Sequence, residues 1–353
     1  MTRNFILFYL LIIPIIFSSC QCKKTCCTSI PQYGNWVSVT PFQGSARTEA
    51  VAFVISNYAY VGTGIDNLNN RYNDLYKFDP SNLSWSQVAS CAGMKPRNSA
   101  VAFNTNGKGY VGTGFDGKNA LSDFWQYDPV ANSWAQKASL GDSNGLKPRY
   151  NAVAFGIGNN GYVSTGNDSI NFLKDVWQYD AIADKWTKKI DFPGSARDQA
   201  VSFVYNNKGY IVTGLGTNGT TLNDFYSFDP SKPDASAWSQ LRYISNFSPN
   251  SYDDGYISIV RYNAVGFVMT QTVSDGGGDR AYITTGSAGS TTWAYNFATD
   301  LWNQKTSYER EARSGAVGFS VLNRGFVGLG TSGSSAFSNF DEWKPDQVYN
   351  HDD

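Results

Sequence analysis

Glu49 is the residue whose type and setting most readily suggest chemistry. It is one of four glutamates in a chain of 353 residues and stands two positions after Arg47. A carboxylate beside a guanidinium can take a proton while the cation stabilises the anion that forms. Arg47 and Arg97 are the candidate cations, and a plain salt bridge is the alternative role for Glu49. Arginine recurs at the same place in later segments, as Arg97, Arg149, Arg197, Arg261 and Arg313. Two residues after each come Ser99, Asn151, Gln199, Asn263 and Gly315. Together with Glu49 they form a polar, amide-rich set that suits hydrogen bonds to hydroxyl or peptide groups. A second candidate is the long connection Arg242–Ser258, which carries Tyr243, Phe247, Tyr252, Asp253, Asp254 and Tyr256. Its rings could stack on a sugar or simply cover a neighbouring element.

Other chemistry is disfavoured by what the chain lacks. Its one histidine, His351, lies next to the terminus, which removes most histidine-dependent catalysis and metal binding. Cys20, Cys22, Cys26, Cys27 and Cys91 do not have the spacing of a zinc knuckle. In an oxidising compartment, a disulfide from Cys91 to one of the N-terminal cysteines is the plausible use. The Asp and Asn loops at Asp66–Arg71, Asp116–Asn119 and Asn167-Asp168 lack the alternating ligands of a calcium loop. No cofactor or metal is expected. With 28 basic and 29 acidic residues and no basic stretch, nucleic acid is not an expected partner.

The residues that would position this site repeat along the chain. Tryptophans 36, 85, 134, 186, 238 and 302 are 49, 49, 52, 52 and 64 residues apart. Each arginine opens a small, apolar strand such as Ala100-Val101-Ala102-Phe103. An aromatic-led strand ending in glycine follows, such as Tyr110-Val111-Gly112-Thr113-Gly114. A third strand reads Asp123-Phe124-Trp125-Gln126-Tyr127-Asp128, and the tryptophan begins a fourth. Four short strands every fifty residues or so is the period of a propeller blade. Side-chain size agrees, with alanine on the first strand near a crowded axis and aromatics on the third and fourth. The recurring arginines would pair with Asp74, Asp123, Asp175 and Asp224 as scaffold. At the ends, Trp36–Thr40 form a fourth strand without predecessors and Arg313–Pro345 three strands without a successor. Pairing them closes the ring and removes open edges.

The pattern resembles the kelch repeat over residues 36–345: arginine before the first strand, glycine after the second, and Asp79-Pro80, Asp128-Pro129 and Asp229-Pro230 ahead of the tryptophan. It departs where kelch blades carry Gly-Gly, since five blades have Thr-Gly and the sixth Leu329-Gly330. Blade five has Asn296-Phe297 in place of Asp-Pro. The resemblance implies an all-β, six-bladed propeller of the galactose oxidase-like superfamily. It also implies that Glu49, Ser99, Asn151, Gln199, Asn263 and Gly315 ring the channel mouth, on the face that carries the two-to-three and four-to-one loops. The opposite face would carry Thr270–Arg280, read as a flexible insertion around Gly276-Gly277-Gly278. The copper chemistry of galactose oxidase needs histidine ligands that this chain lacks. The sialic-acid mutarotases, also six-bladed kelch proteins, are the relevant enzymatic comparison, with Glu49 as the base.

Ahead of the propeller, Arg3 precedes an apolar run from Phe5 to Phe17, too short to cross a bilayer comfortably but suited to a secretory signal. Ser18-Ser19-Cys20 resembles a bacterial lipobox, which implies lipidation at Cys20. The expected organisation is a signal peptide over 1–19, a tether over 20–34, the propeller over 35–345 and a tail over 346–353. The expected protein is an exported monomer, an outer-membrane lipoprotein of the bacterial envelope, binding a glycan or protein through its loop face. The alternatives are a sugar mutarotase or epimerase and a structural envelope scaffold.

Overall fold

The computed structural model describes residues 32–140, 145–242, 244 and 259–352. The apolar run, Cys20, Cys22, Cys26 and Cys27, and Tyr243, Tyr252 and Tyr256 lie outside the described residues.

Blade one is an antiparallel sheet of Val51–Ile55, Tyr58–Gly62, Leu75–Asp79 and Ser84–Val88, paired in chain order. Blades two to five repeat that order, beginning at Val101, Val153, Val201 and Val265. The first strands of successive blades contact one another in turn. That of blade six, Ser314–Val321, meets Val51–Ile55 again and completes a six-bladed ring. Two-residue hairpins join the first two strands of every blade but the fifth. In blade two Asn106-Gly107 takes φ of 51° and 68°, the left-handed pair whose twist matches that of the flanking strands.

Burial alternates along the first strands. Val51, Phe53 and Ile55 are buried, while Ala50 and Ala52 face the axis, where they and their counterparts line a cavity of about 210 Å³. The core lies between blades, in aromatic clusters such as Phe103 stacked on Tyr110 at 5.0 Å, with Tyr179 of blade three against Tyr110 at 5.5 Å. One glycine makes that approach possible. A Cβ on Gly161 would lie 2.1 Å from the Phe103 ring, so blade three must present bare backbone there. The blade tryptophans also tie neighbours together. Nε1 of Trp134 donates to Ala89 O at 2.7 Å and Nε1 of Trp186 to Ala138 O at 2.8 Å.

The chain's two ends share blade six. Tyr33–Val39 pairs with Phe340–Val348, in register from Asn35 opposite Lys344 to Val39 opposite Phe340, with a bulge between there and Tyr33 opposite Val348. The closing strand therefore starts before Trp36 and its partner runs past Pro345. Residues expected as a tail continue the sheet, with Tyr349 N donating to Gln32 O and Asn350 N to Asn35 Oδ1.

One expectation is corrected. Thr270–Arg280 is not a loose insertion: strands Val265–Gln271 and Gly278–Thr284 run through it, joined by a 3-10 turn at Ser274–Gly276. The Asp346 carboxylate holds that turn by accepting the N–H groups of Thr272, Val273 and Ser274 at 2.7, 2.9 and 2.8 Å. Among the described residues Cys91 has no disulfide partner, and the N-terminal cysteines expected to pair with it lie outside them. It is packed in the core of blades one and two, and burial pushes it up to about 11.

Candidate functional site

The six repeated arginines are buried. Arg97 shows how each is held: Nη1 and Nη2 donate to the two Asp123 oxygens, both at 2.7 Å, Nη1 also to Thr113 O and Nε to Lys95 O. Arg47, Arg149 and Arg197 pair likewise with Asp74, Asp175 and Asp224. Arg313 meets Asn339 Oδ1 instead, and Arg261 donates to the carbonyls of Thr285 and Thr291. These contacts join the entry of the first strand to the start of the third, so the arginines are structural.

Each anchored arginine delivers its next two residues to the axis. The second of these takes a left-handed conformation in every blade, with φ from 51° at Gln199 to 63° at Gly315. That twist turns each backbone tangential to the axis, and six N–H···O=C bonds close a circle. Glu49 N donates to Gly315 O, Ser99 N to Glu49 O, Asn151 N to Ser99 O, Gln199 N to Asn151 O, Asn263 N to Gln199 O and Gly315 N to Asn263 O, at 2.8–3.1 Å. The belt uses all six N–H groups, so side chains are what a ligand meets. Glu49, Ser99, Asn151, Gln199, Asn263 and Gly315 line a cavity of about 120 Å³ above the ring of alanines. The structure thus brings these residues together, while Tyr243, Tyr252 and Tyr256 lie outside the described residues.

Glu49 touches neither Arg47 nor Arg97, because those guanidinium groups face Asp74 and Asp123. Its Oε2 accepts instead from Asn98 Nδ2 and Ser99 Oγ, both at 2.5 Å. Asn98 in turn accepts from Arg71 Nε at 2.6 Å, and the Arg71 guanidinium lies 5.6 Å from the centre of the Phe115 ring. Arg71 therefore reaches Glu49 only through a carboxamide.

Sequence reasoning passed over the residue directly after each arginine. At that position stand Thr48, Asn98, Tyr150, Asp198, Tyr262 and Ser314. Asn98 of blade two leans back to Glu49 of blade one, and Asp198 of blade four leans back toward Asn151 of blade three. Asp198 is 4% exposed and its Oδ1 has no hydrogen-bond partner. Burial pushes its carboxyl up to about 6; the amides of Asn151 and Asn167 oppose the shift, and the charge of Glu49 adds to it. The sign in the sequence was a carboxylate at a position that is neutral in the five other blades. Beside it, the Phe115 and Tyr150 rings pack 5.4 Å apart.

The surrounding loops hold themselves. Asp66 accepts the Leu68 and Asn70 N–H groups and the Tyr72 hydroxyl, and these bonds outweigh its burial and lower it to about 2. Asp116 and Asp168 do the same in blades two and three, each with a lysine, Lys95 or Lys147. These aspartates are turn-formers within their own loops.

A family model described as the Kelch motif matches residues 97–141, one blade's worth of chain. The chain is 31% identical over 100 residues to the N-acetylneuraminate epimerase of Yersinia pestis strain Pestoides F, a match covering 27% of this chain and 24% of that protein. The enzyme of the same name from Yersinia enterocolitica is 31% identical over 80 residues, 21% of this chain and 20% of its own length. The chain thus spans about a quarter or less of the curated relatives it matches. A solved structure, that of YjhT, superposes with a TM-score of 0.68 at 15% identity, over 86% of this chain and 95% of its own. That likeness concerns the fold.

Proposed function

We propose that this kelch-repeat six-bladed β-propeller is an exported binding module, anchored through Cys20, that takes a glycan at the mouth of its axial channel. One observation carries the reading: the belt presents a carboxylate, a hydroxyl and three carboxamides around a cavity, and the residue before Asn151 is an aromatic, Tyr150, packed on Phe115. Carboxamides and carboxylates match the paired hydroxyls of a sugar, and an aromatic side chain suits the apolar face of its ring. The cavity is small, so the ligand enters end-on, with one sugar residue against the ring and the rest across the loop face. The partial likeness to N-acetylneuraminate epimerases points toward sugars as well.

The test is calorimetric titration with a panel of oligosaccharides, on the parent protein and on Asn151→Ala and Gln199→Ala. Binding that weakens in both variants supports the reading. Binding that survives both places the ligand elsewhere and overturns it. A protein ligand would show instead as capture from an envelope extract that these two variants lose.

The second reading is sugar interconversion with Glu49 as base. It has the epimerase likeness in its favour, together with a second carboxyl, Asp198, whose proton affinity is raised nearby. Its cation would be Arg71, acting through Asn98, rather than Arg47 or Arg97. Anomer exchange followed by NMR decides it: a parent protein that leaves the exchange rate unchanged excludes it.

A further inference from the structure

The glycan reading leaves open which sugars fit, and two carboxyls bear on that: Glu49 lines the cavity, and Asp198, next to the lining residue Gln199, is buried behind it. Asp198 and Glu49 belong to blades three apart, yet both side chains lean toward blades two and three. Glu49 lies against Asn98 and Ser99, and Asp198 faces Asn151. Among the described residues neither carboxyl stands in an ion pair, and Asp198 Oδ1 accepts no hydrogen bond. Gln199 Oε1 beside them is buried without a donor as well. A carboxamide can present either end, so the two carboxyls set the sign of the site.

Nearby cations are already engaged. Arg47, Arg97, Arg149 and Arg197 are paired with aspartates, and Lys95 and Lys147 with Asp116 and Asp168. Arg71 donates to Asn98 and lies over Phe115. Among the described residues the other two acidic residues as buried as Asp198, Asp341 and Glu342, are matched by Arg310 and Arg324, whereas Asp198 has no such partner. A buried charge without a partner is expensive, and a group that supplies the missing positive charge and donors gains what the fold leaves unmet.

We propose that the mouth selects an amine-bearing sugar, a glucosamine-type residue whose ammonium sits between Asp198 and Glu49, over its N-acetylated or carboxylated counterparts. An ammonium has three donors and no acceptor, which matches two carboxylate oxygens and a carboxamide oxygen. A sugar carboxylate would instead place a third negative charge beside two that already repel. This inference rests on the glycan reading above.

The experiment titrates the parent protein at pH 7 with chitosan, chitin and cello-oligosaccharides of one length, with N-acetylneuraminate, and with a short lysine-terminated peptide. The expected result is that the chitosan oligomer binds about tenfold or more tightly than the chitin oligomer. Asp198→Asn should bring the two within about threefold while leaving the fold intact. Equal or tighter binding of the acetylated, neutral or anionic sugar overturns the inference and leaves the glycan reading standing. Anionic binding lost on Arg71→Gln would locate the error at that guanidinium. Peptide binding as tight as chitosan binding overturns the assignment to a sugar, and an absence of saccharide binding removes both this inference and the reading beneath it.

Discussion

Arg97 and Asp123 are joined by two hydrogen bonds of 2.7 Å each, and no part of the guanidinium reaches solvent. The contact crosses from the segment before the first strand of blade two to the start of its third. Asp123 also accepts from Trp125 Nε1 at 2.7 Å, so one carboxylate orients an outer aromatic and an inner arginine together.

Replacing Asp123 by Ala strips the partner from a buried cation while leaving the cation in place. Such a change typically costs about 3–5 kcal/mol. Urea unfolding of Asp123→Ala should show that loss as a lower midpoint, and a loss below about 1 kcal/mol would contradict the scaffold role assigned to the pair.

Asp198 predicts the opposite sign. Its carboxyl titrates near 6 in the folded chain, above its unfolded value of 3.8, so the folded state holds its proton more tightly. Stability from this group is therefore greatest below about pH 4 and declines as pH rises through 6. The Glu49 charge adds to that decline, and Tyr150, which also faces Asp198, remains neutral throughout this range because burial raises it. Asp198→Asn should be more stable than the parent at pH 7 by on the order of 1–2 kcal/mol. Thermal melts across pH 4–8 should show the gap closing toward pH 4, and a parent that is the more stable at pH 7 would refute it.

Gly315 is the one member of the belt without a side chain, and the packing explains why. A Cβ there would lie 2.1 Å from Thr48 Oγ1 and 3.2 Å from Glu49 Cγ, on a backbone with φ of 63°. Gly315→Ala should displace Thr48 and Glu49 and destabilise the ring by about 1–3 kcal/mol. The measurement is thermal unfolding combined with the oligosaccharide titration; unchanged affinity would show that the Glu49 position does not matter for binding.

Trp36 closes the propeller from the other end of the chain. It is 2% exposed, with ring centres 5.0 Å from Tyr308 and 4.9 Å from Trp343. Trp36→Ala should cost about 3–5 kcal/mol. Because it sits at the seam between first and last segments, limited proteolysis of the variant should cut blade six first. Cleavage that begins in blade three would contradict that placement.

The repeat made most of the architecture legible from the residues alone. Blade number, strand order, the pairing of the arginines with Asp74, Asp123, Asp175 and Asp224, and the seam at Trp36 all follow from local patterns repeated at nearly constant spacing. The kelch resemblance implied the ring residues as well, and they meet because a fixed offset from an anchored arginine carries each to the same radius. Tertiary structure decided what depends on residues far apart in the chain. The belt closes through Glu49 N and Gly315 O, and no offset within one repeat reveals that bond. Glu49 turned to Asn98 and Ser99 because its expected arginines had nearer carboxylates. The high proton affinity of Asp198 comes from burial and from the charge of Glu49 on a distant blade. Desolvation and Coulomb interaction act through space, whereas spacing along the chain reports only on neighbours within a blade; the ring therefore had to close before those two carboxyls could influence each other.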